Sequence, residues 1–442
     1  MLSTRREFLK TMQGGLALLG LSGLAHAAAA RTRRPNILLV ISDDQGFGDL
    51  HAHGNPAIDT PVQDALAAAG ARFDRFYVCP VCAPTRGGLL TGRYHPRMGV
   101  CGTSSGWERM RTEEFTLAEA LRGNGYATGA FGKWHNGHYY PEHPNGQGFD
   151  TFVGFCMGHW NGYFDPVLQH NGETFQAKGY ITDVLTDHAL EFIAQHRDQP
   201  FFCYVAYNVP HTPFMVPDRY FDKYKARGLD DAIASVYGMT ECMDANIGRL
   251  LARLDDLGLA EDTIVLFLSD NGPASSGADR YNAGMRGSKG SVHEGGVRVP
   301  FFVRWPGHIA PGALVKPIAA QVDVMPTLLE LTDTTAPDEV AFDGLSLAPL
   351  LARPDLPNWP DRKLFSLQSR GPEQPLVSGA VRTQRWLAVT ESKNDAGWQL
   401  YDLPADPAEA SDVAAAHPEV LAERRTAFET WFAEVTKNGL GP

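Results

Sequence analysis

The chain has 442 residues, 43% of them hydrophobic and 20% charged, which is enough to bury one large core and too apolar to stay disordered. Its formal net charge of −12 disfavours general binding to nucleic acid or to an anionic membrane, so an anionic substrate must be held by a local cluster of cations. Six cysteines (Cys79, Cys82, Cys101, Cys156, Cys203 and Cys242) are too few for a disulfide scaffold and leave room for one or two bridges.

The N-terminus reads STRREFLKTMQGGLALLGLSGLAHAAAA. Its basic start with Arg5 and Arg6, its apolar run from about Leu16 to Leu24 and the small-x-small site Ala25-His26-Ala27 predict a signal peptide over residues 1–27. The run falls well short of the roughly 20 residues that span a bilayer, so no stable membrane anchor is expected. Removing the segment, with Arg5, Arg6 and Lys10 against Glu7, takes the chain to a charge of about −14. Residues Ser3 to Lys10 resemble a twin-arginine signal, which implies passage through the twin-arginine export machinery as a folded protein and a periplasmic or secreted location.

From residue 35 apolar strand-like runs alternate with amphipathic stretches. NILLVIS is followed by the helix PVQDALAAAG, TLAEALRGNG by ATGAFG, and a long helix of about Asp230 to Leu257 separates FFCYVAY from TIVLFLS. The pattern predicts an α/β fold over 35–335, a large mixed but mainly parallel sheet sandwiched by helices, with ligands gathered beyond the carboxyl ends of its strands. After the Pro-rich PDLPNWPDRK come KLFSLQS, SGAVRTQRWLAVT and WQLYDL, then a helix from Pro418 to about Lys437. These predict a small C-terminal α+β subdomain over 336–442, with antiparallel strands and a terminal helix.

Two of the apolar strands end in acidic pairs: ILLVIS in Asp43 and Asp44, IVLFLS in Asp270 and Asn271. Neighbouring buried carboxylates repel one another unless a cation neutralises them, and ligands that are all oxygen point to Ca²⁺ ahead of Mg²⁺. Either pair alone would be an ordinary turn; two together favour a metal. In CAPTRGGLLTGR, residues 82–93, Pro84 suits the first turn of a helix and sets Cys82 at its N-terminal end, where free N–H groups and the macrodipole favour an anion. A lone cysteine is ordinarily a small buried hydrophobe. Arg86 and Arg93 beside it argue for an anionic partner.

Cys82-Ala83-Pro84-Thr85-Arg86, with Leu90-Thr91-Gly92-Arg93, resembles the signature of the type I, formylglycine-dependent sulfatases, arylsulfatase-like members of the alkaline phosphatase superfamily. SDDQGFGD, GNPAIDTP, GYATGAFGKWHNG, YNVPHTPF, LSDNGP, RGSKGSVHEGGVRVP, DGLSLAPLL and LYDLPADPAE follow in family order, so the resemblance runs from residue 35 to about 437. Thr85 stands where serine is commoner. The resemblance implies an alkaline-phosphatase-like fold and a sulfuric ester hydrolase that releases inorganic sulfate. It also implies that a formylglycine-generating enzyme oxidises Cys82 to 3-oxoalanine before folding. One Ca²⁺ would be held by Asp43, Asp44, Asp270, Asn271 and the modified Cys82. Arg86, Lys133 and Lys289 would steady the aldehyde hydrate or the sulfate oxygens, His211 would protonate the departing alcohol, and His135 would take a proton from the second hydroxyl. Glu294 and Arg298 are assigned to an ion pair holding their loop, and His51, His53 and His293 to structure.

Trp134 to Phe164 is rich in aromatic and histidine residues directly after the GKWH strand end. Such side chains stack on sugar rings and bond hydroxyls, which makes His159, Trp160 and Tyr163 the substrate-binding candidates and a sulfated carbohydrate the expected substrate; packing of the loop over the sheet is the plainer use of the same residues. Two other readings stand beside it: a phosphonate monoester or phosphodiester hydrolase of the same superfamily, and a sulfated-glycan binding protein that is never matured. Retention of Cys82 and of the proton-transfer positions weighs against the second.

Overall fold

The structure, a computed structural model, describes residues 34–275, 280–392 and 397–441, so the signal peptide expected over 1–27 lies outside the described residues. The run ILLVI is apolar at every position because both of its faces are buried: it is the body of β1, Asn36–Ser42, in the middle of a ten-stranded sheet. The other strands are β2 (Ala71–Phe73), β3 (Ala127–Lys133), β4 (Thr151–Phe155), β5 (Val167–His170), β6 (Glu173–Gln176), β7 (Phe201–Ala206), β8 (Thr263–Ser269), β9 (Phe301–Arg304) and β10 (Ala313–Val315). They lie in the order β10-β2-β9-β8-β1-β7-β3-β4-β5-β6. The central strands β8, β1, β7, β3 and β4 are parallel, while β9 and β5 run antiparallel to their neighbours.

Helices α1 (Pro61–Ala69), α2 (Cys82–Thr91), α3 (Leu117–Gly123), α4 (Ile181–Gln195) and α5 (Asp231–Asp256) cover the two faces. Alternation along β1 sends Ile37, Leu39 and Ile41 into the layer with α2 and α3, and Leu38 and Val40 into the layer with α1, α4 and α5. None of these five side chains is exposed. Truncating one to alanine costs about 2–5 kcal/mol, so the strand that carries the site is also a mainstay of the core.

In the C-terminal part, β11 (Leu364–Gln368), β12 (Ser378–Arg382), β13 (Trp386–Glu391) and β14 (Trp398–Asp402) form a separate antiparallel sheet. Helix α6, Pro418–Val435, packs Phe428 and Trp431 against Leu364 and Val381 of that sheet. No described helix is long and apolar enough to cross a membrane. All six cysteines are buried and unpaired, so the bridges that their number allowed are not formed.

Candidate active site

Register assembles the site. Ser42 of β1 pairs with Ser269 of β8, so Asp43-Asp44 and Asp270-Asn271 emerge side by side at the carboxyl ends of two neighbouring strands. Next to them β3 ends in Lys133, and the chain leaving β7 runs on to His211. Helix α2 opens at Cys82, with Val81 as its N-cap, and closes at Gly92, whose left-handed backbone (φ 67°) returns its N–H to the Gly88 carbonyl. The Thr85 hydroxyl accepts from the Cys79 N–H at 3.0 Å, and Asn136 Nδ2 donates to the Ala83 carbonyl at 3.1 Å, so the first turn of α2 is fixed from both sides.

One carboxylate oxygen each from Asp43 and Asp270 and the Cys82 sulfur lie within 4.8 Å of one another, all three residues buried. A second group within that limit joins Asp43, Asp44 and a ring nitrogen of His211. Cations surround them. Arg86 donates from Nε (3.0 Å) and Nη2 (2.7 Å) to Asp270 Oδ2 and from Nη1 (3.1 Å) to the Lys133 carbonyl. Lys133 Nζ donates to Asp43 Oδ2 at 2.7 Å, and Lys289 Nζ lies 2.6 Å from Asp44 Oδ1, which also accepts from Asn271 Nδ2 at 2.7 Å.

Burial raises the Asp43 carboxyl, but Lys133, His211, Arg86 and Lys289 outweigh it and hold the group well below the usual carboxylate range. For Asp270, burial and then the Asp43 charge push the other way and prevail over Arg86. A cation between the two carboxylates relieves that conflict. Asp43 Oδ1 and Asn271 Oδ1 are buried acceptors with no donor, the kind of atom that a hard divalent ion satisfies. The cluster therefore fits a metal ion.

The two histidines differ in what they offer. His135 Nε2 is 2.9 Å from the Thr103 carbonyl, which only accepts, so Nε2 carries the proton and the buried, unpartnered Nδ1 carries a lone pair. Burial first, then Lys133, lowers its pKa well below the ordinary value and keeps the ring neutral. His211 donates Nδ1–H to the Thr212 carbonyl at 2.7 Å, leaving Nε2 on the open side, 3.8 Å from Asp44 Oδ2.

Residues 35–334 match the sulfatase family, and residues 288–427 match the family described as N-sulphoglucosamine sulphohydrolase, C-terminal. The chain belongs to the sulfatase family. This sulfatase is a sulfuric ester hydrolase of the alkaline phosphatase superfamily. It is 34% identical to arylsulfatase A of Homo sapiens over 462 aligned residues, covering 89% of this chain and 87% of that one. N-acetylgalactosamine-6-sulfatase of Mus musculus is 33% identical, covering 79% and 71%. A crystal structure of Ps i-CgsB in complex with k-i-k-neocarrahexaose superposes with a TM-score of 0.83 at 30% identity, covering 90% of this chain and 93% of that one.

Cys82, Arg86, Lys133, His135, His211 and Lys289 thus gather with Asp43, Asp44, Asp270 and Asn271 at one end of the sulfatase sheet. Arg93 does not join them: it pairs with Glu114 at 2.8 Å, because it lies at the far end of α2 from Cys82. Among the residues expected to bind substrate, His159 is exposed with its ring 5.4 Å from that of His211, and Trp160 is half-buried and stacked on Phe155 at 5.2 Å. Tyr163 is a correction. It is 1% exposed, and its hydroxyl is shared between the carbonyls of Asn208 (3.0 Å) and His211 (2.8 Å), which leaves no face for a sugar. The exposed large aromatics of that stretch are Tyr139, Tyr140 and Phe164, none of them among the expected substrate-binding residues.

The Glu294–Arg298 pair is long, at 3.9 Å. Glu294 accepts instead from the Tyr77 hydroxyl at 3.1 Å, and Arg298 donates to the Asp74 carbonyl. His51 and His53 bond the carbonyls of Asn55 and Phe47, and His293 bonds Glu409, so all three stay outside the site. Arg280 was missed. It pairs with Asp49 at 2.9 Å and donates Nη2 to the Asp44 carbonyl at 3.0 Å, holding Asp44 in its left-handed backbone (φ 67°). Gly158 was missed too: a Cβ there would lie 1.9 Å from His135 Nε2.

Proposed function

We propose that this sulfatase cleaves a sulfate ester of a carbohydrate with a formylglycine made from Cys82 and one Ca²⁺. The observation that carries the reading is the position of Cys82 at the start of α2, within 4.8 Å of the buried Asp43 and Asp270 carboxylates and ringed by Arg86, Lys133 and Lys289. Asp43, Asp44, Asp270 and Asn271 would hold the ion, whose chemistry is to stabilise negative charge and lower the pKa of a bound hydroxyl. Hydration of an aldehyde at residue 82 supplies two hydroxyls, one to attack sulfur and one whose proton must leave for sulfate to be released.

The chain's own residues handle charge and protons. Lys133 Nζ and Lys289 Nζ, now on Asp43 and Asp44, lie where an anion added to the cluster meets two ammonium groups. Arg86 locks Asp270 and the Lys133 backbone into one unit. His135 Nδ1 has the free lone pair that accepts a proton from a hydroxyl at residue 82, and His211 Nε2, on the open side, donates one to the leaving alcohol when its ring is charged. The carbohydrate reading is supported by the sugar named in one relative and the sugar bound in the structural neighbour, and by the exposed His159 beside His211.

Maturation would require a formylglycine-generating enzyme, and the Arg5-Arg6 signal supports twin-arginine export to the periplasm or beyond. Purified from a host that matures a control sulfatase, the tryptic peptide from Phe76 to Arg86 should be lighter by roughly 18 Da than its thiol form, and Cys82→Ala should abolish hydrolysis of sulfated sugars. A peptide with an intact thiol in an active enzyme refutes the mechanism. Replacing Arg5 and Arg6 by lysine should retain the protein in the cytoplasm, and its appearance in the periplasm refutes the export route.

A further inference from the structure

A cleft of about 400 Å³ opens beside the catalytic cluster and plays no part in the chemistry above. Its walls come from segments far apart in the chain: Val81 with the stretch from Gly102 to Trp107 on one side, Gln368 to Arg370 at the end of β11 on the other. Two of these residues already belong to the site. Val81 caps the helix that Cys82 begins, and the Thr103 carbonyl receives the His135 Nε2 proton. The cleft is thus joined to the site through the residue that precedes Cys82 and through the backbone partner of His135.

The lining is chemically one-sided. It contains no Asp or Glu, in a chain whose net charge is −12. Arg370 is exposed, and its guanidinium has no ion pair or hydrogen bond among the described residues. Other arginines of the C-terminal part are engaged: Arg362 with Asp323, Arg382 with the Ser366 hydroxyl and Arg385 with Asp402. The side-chain hydroxyls of Thr103, Ser104 and Ser105 make no hydrogen bond among the described residues either, and Gln368 Oε1 is buried without a donor. Trp107, half-buried, adds an apolar face. Hydroxyls and an indole suit a sugar ring. A guanidinium without a counter-ion suits an anion on it, in the planar geometry that a sulfate or a carboxylate shares.

We propose that this cleft is a second subsite, in which Arg370 holds a second anionic group, sulfate or carboxylate, on the sugar adjoining the one that loses its sulfate. The inference rests on the carbohydrate reading above and narrows it to polyanionic glycans. Arg370 sets specificity. It touches the substrate away from the reacting sulfur.

Binding to the Cys82→Ala chain, which cannot be matured and so cannot consume its ligand, tests this without turnover. Three tetrasaccharide probes separate the sources of charge: chondroitin with carboxylates only, carrageenan with sulfates only, and chondroitin sulfate with both. Adding Arg370→Gln should weaken calorimetric affinity for at least one probe tenfold or more, with the difference shrinking at high salt, while a monosulfated galactose shifts by less than threefold. The probe that responds names the anion. Affinities that all stay within threefold, equal weakening of the monosaccharide, or no binding of any probe to the Cys82→Ala chain overturn the subsite. Turnover by the matured enzyme reports separately on the reading beneath it: hydrolysis of 4-nitrophenyl sulfate but of no sulfated sugar in a panel overturns the carbohydrate reading, whereas sugar sulfate hydrolysis with binding indifferent to Arg370 overturns the subsite alone.

Discussion

Tyr163→Phe separates a residue that holds the site from one that holds the substrate. The change removes one oxygen and leaves the buried ring in place. Its hydroxyl hydrogen is shared between the Asn208 and His211 carbonyls at 3.0 and 2.8 Å. Loss of a neutral hydrogen bond costs about 0.5–1.5 kcal/mol, and a buried carbonyl left without a partner adds a comparable desolvation term, so about 2 kcal/mol is expected. Over a folded unit of about 400 residues, with an unfolding entropy near 2.1 cal/mol/K per residue, this lowers the apparent melting temperature by about 2–3 °C. Because the bonded carbonyl belongs to His211 itself, kcat should fall by about tenfold on every sulfate ester, small or large, with KM little changed. Scanning calorimetry and steady-state kinetics on an aryl sulfate and a sugar sulfate read both quantities. An unchanged melting temperature together with a raised KM for the sugar alone would refute the reasoning and return Tyr163 to the substrate.

Gly158→Ala should lower kcat at least 100-fold with little change in KM, since its Cβ would occupy the place of the His135 ring; near-normal kcat would show that the ring's position does not matter. Dialysis against a chelator should abolish activity, with Ca²⁺ restoring it more fully than Mg²⁺, and activity unaffected by metal removal would refute the assignment of Asp43, Asp44, Asp270 and Asn271. Away from the site, burial pushes the Asp244 carboxyl up to about 6, so the folded state keeps its proton longer than the unfolded state does. The stabilisation is complete below the unfolded value near 3.8 and is lost as pH rises through about 6. The melting temperature of Asp244→Asn relative to the parent should therefore rise between pH 4 and pH 7, and a flat difference would contradict that direction.

Much of this was legible in the sequence, and the exceptions have physical reasons. Strands β1, β3, β7 and β8 fall where mainly apolar runs predicted them, because a strand buried on both faces reads as a near-continuous apolar run with its polar residues mostly toward the ends. The hairpin of β5 and β6 at the sheet edge was missed: β6 reads ETFQ and is mostly exposed, so its polar residues give no burial signal. That Asp43, Asp270 and Cys82 meet at one place was legible because two carboxylates and a thiol at neighbouring strand and helix ends are costly unless they share a partner. Tyr163 was misjudged because aromatics that line a pocket and aromatics that wedge a loop share one composition. The difference lies in the hydroxyl's partners, which sequence does not show. Arg280 and Gly158 act through contacts with residues far away in the chain, and no local spacing announces such roles.

The loop that delivers Lys289 is held from the C-terminal side of the molecule. Arg286 bonds the Tyr401 hydroxyl at 2.7 Å, Arg382 bonds the Val292 carbonyl at 2.8 Å, and the Glu409 carboxylate takes the Glu294 N–H at 2.7 Å and pairs with His293. None of those partners does chemistry, yet all are synthesised more than 90 residues after Lys289. One wall of the site is thus held in place by residues from the last part of the chain. The C-terminal sheet, which contributes no group to the chemistry, therefore sets where Lys289 stands, and the site's geometry is shared across the whole length of the chain.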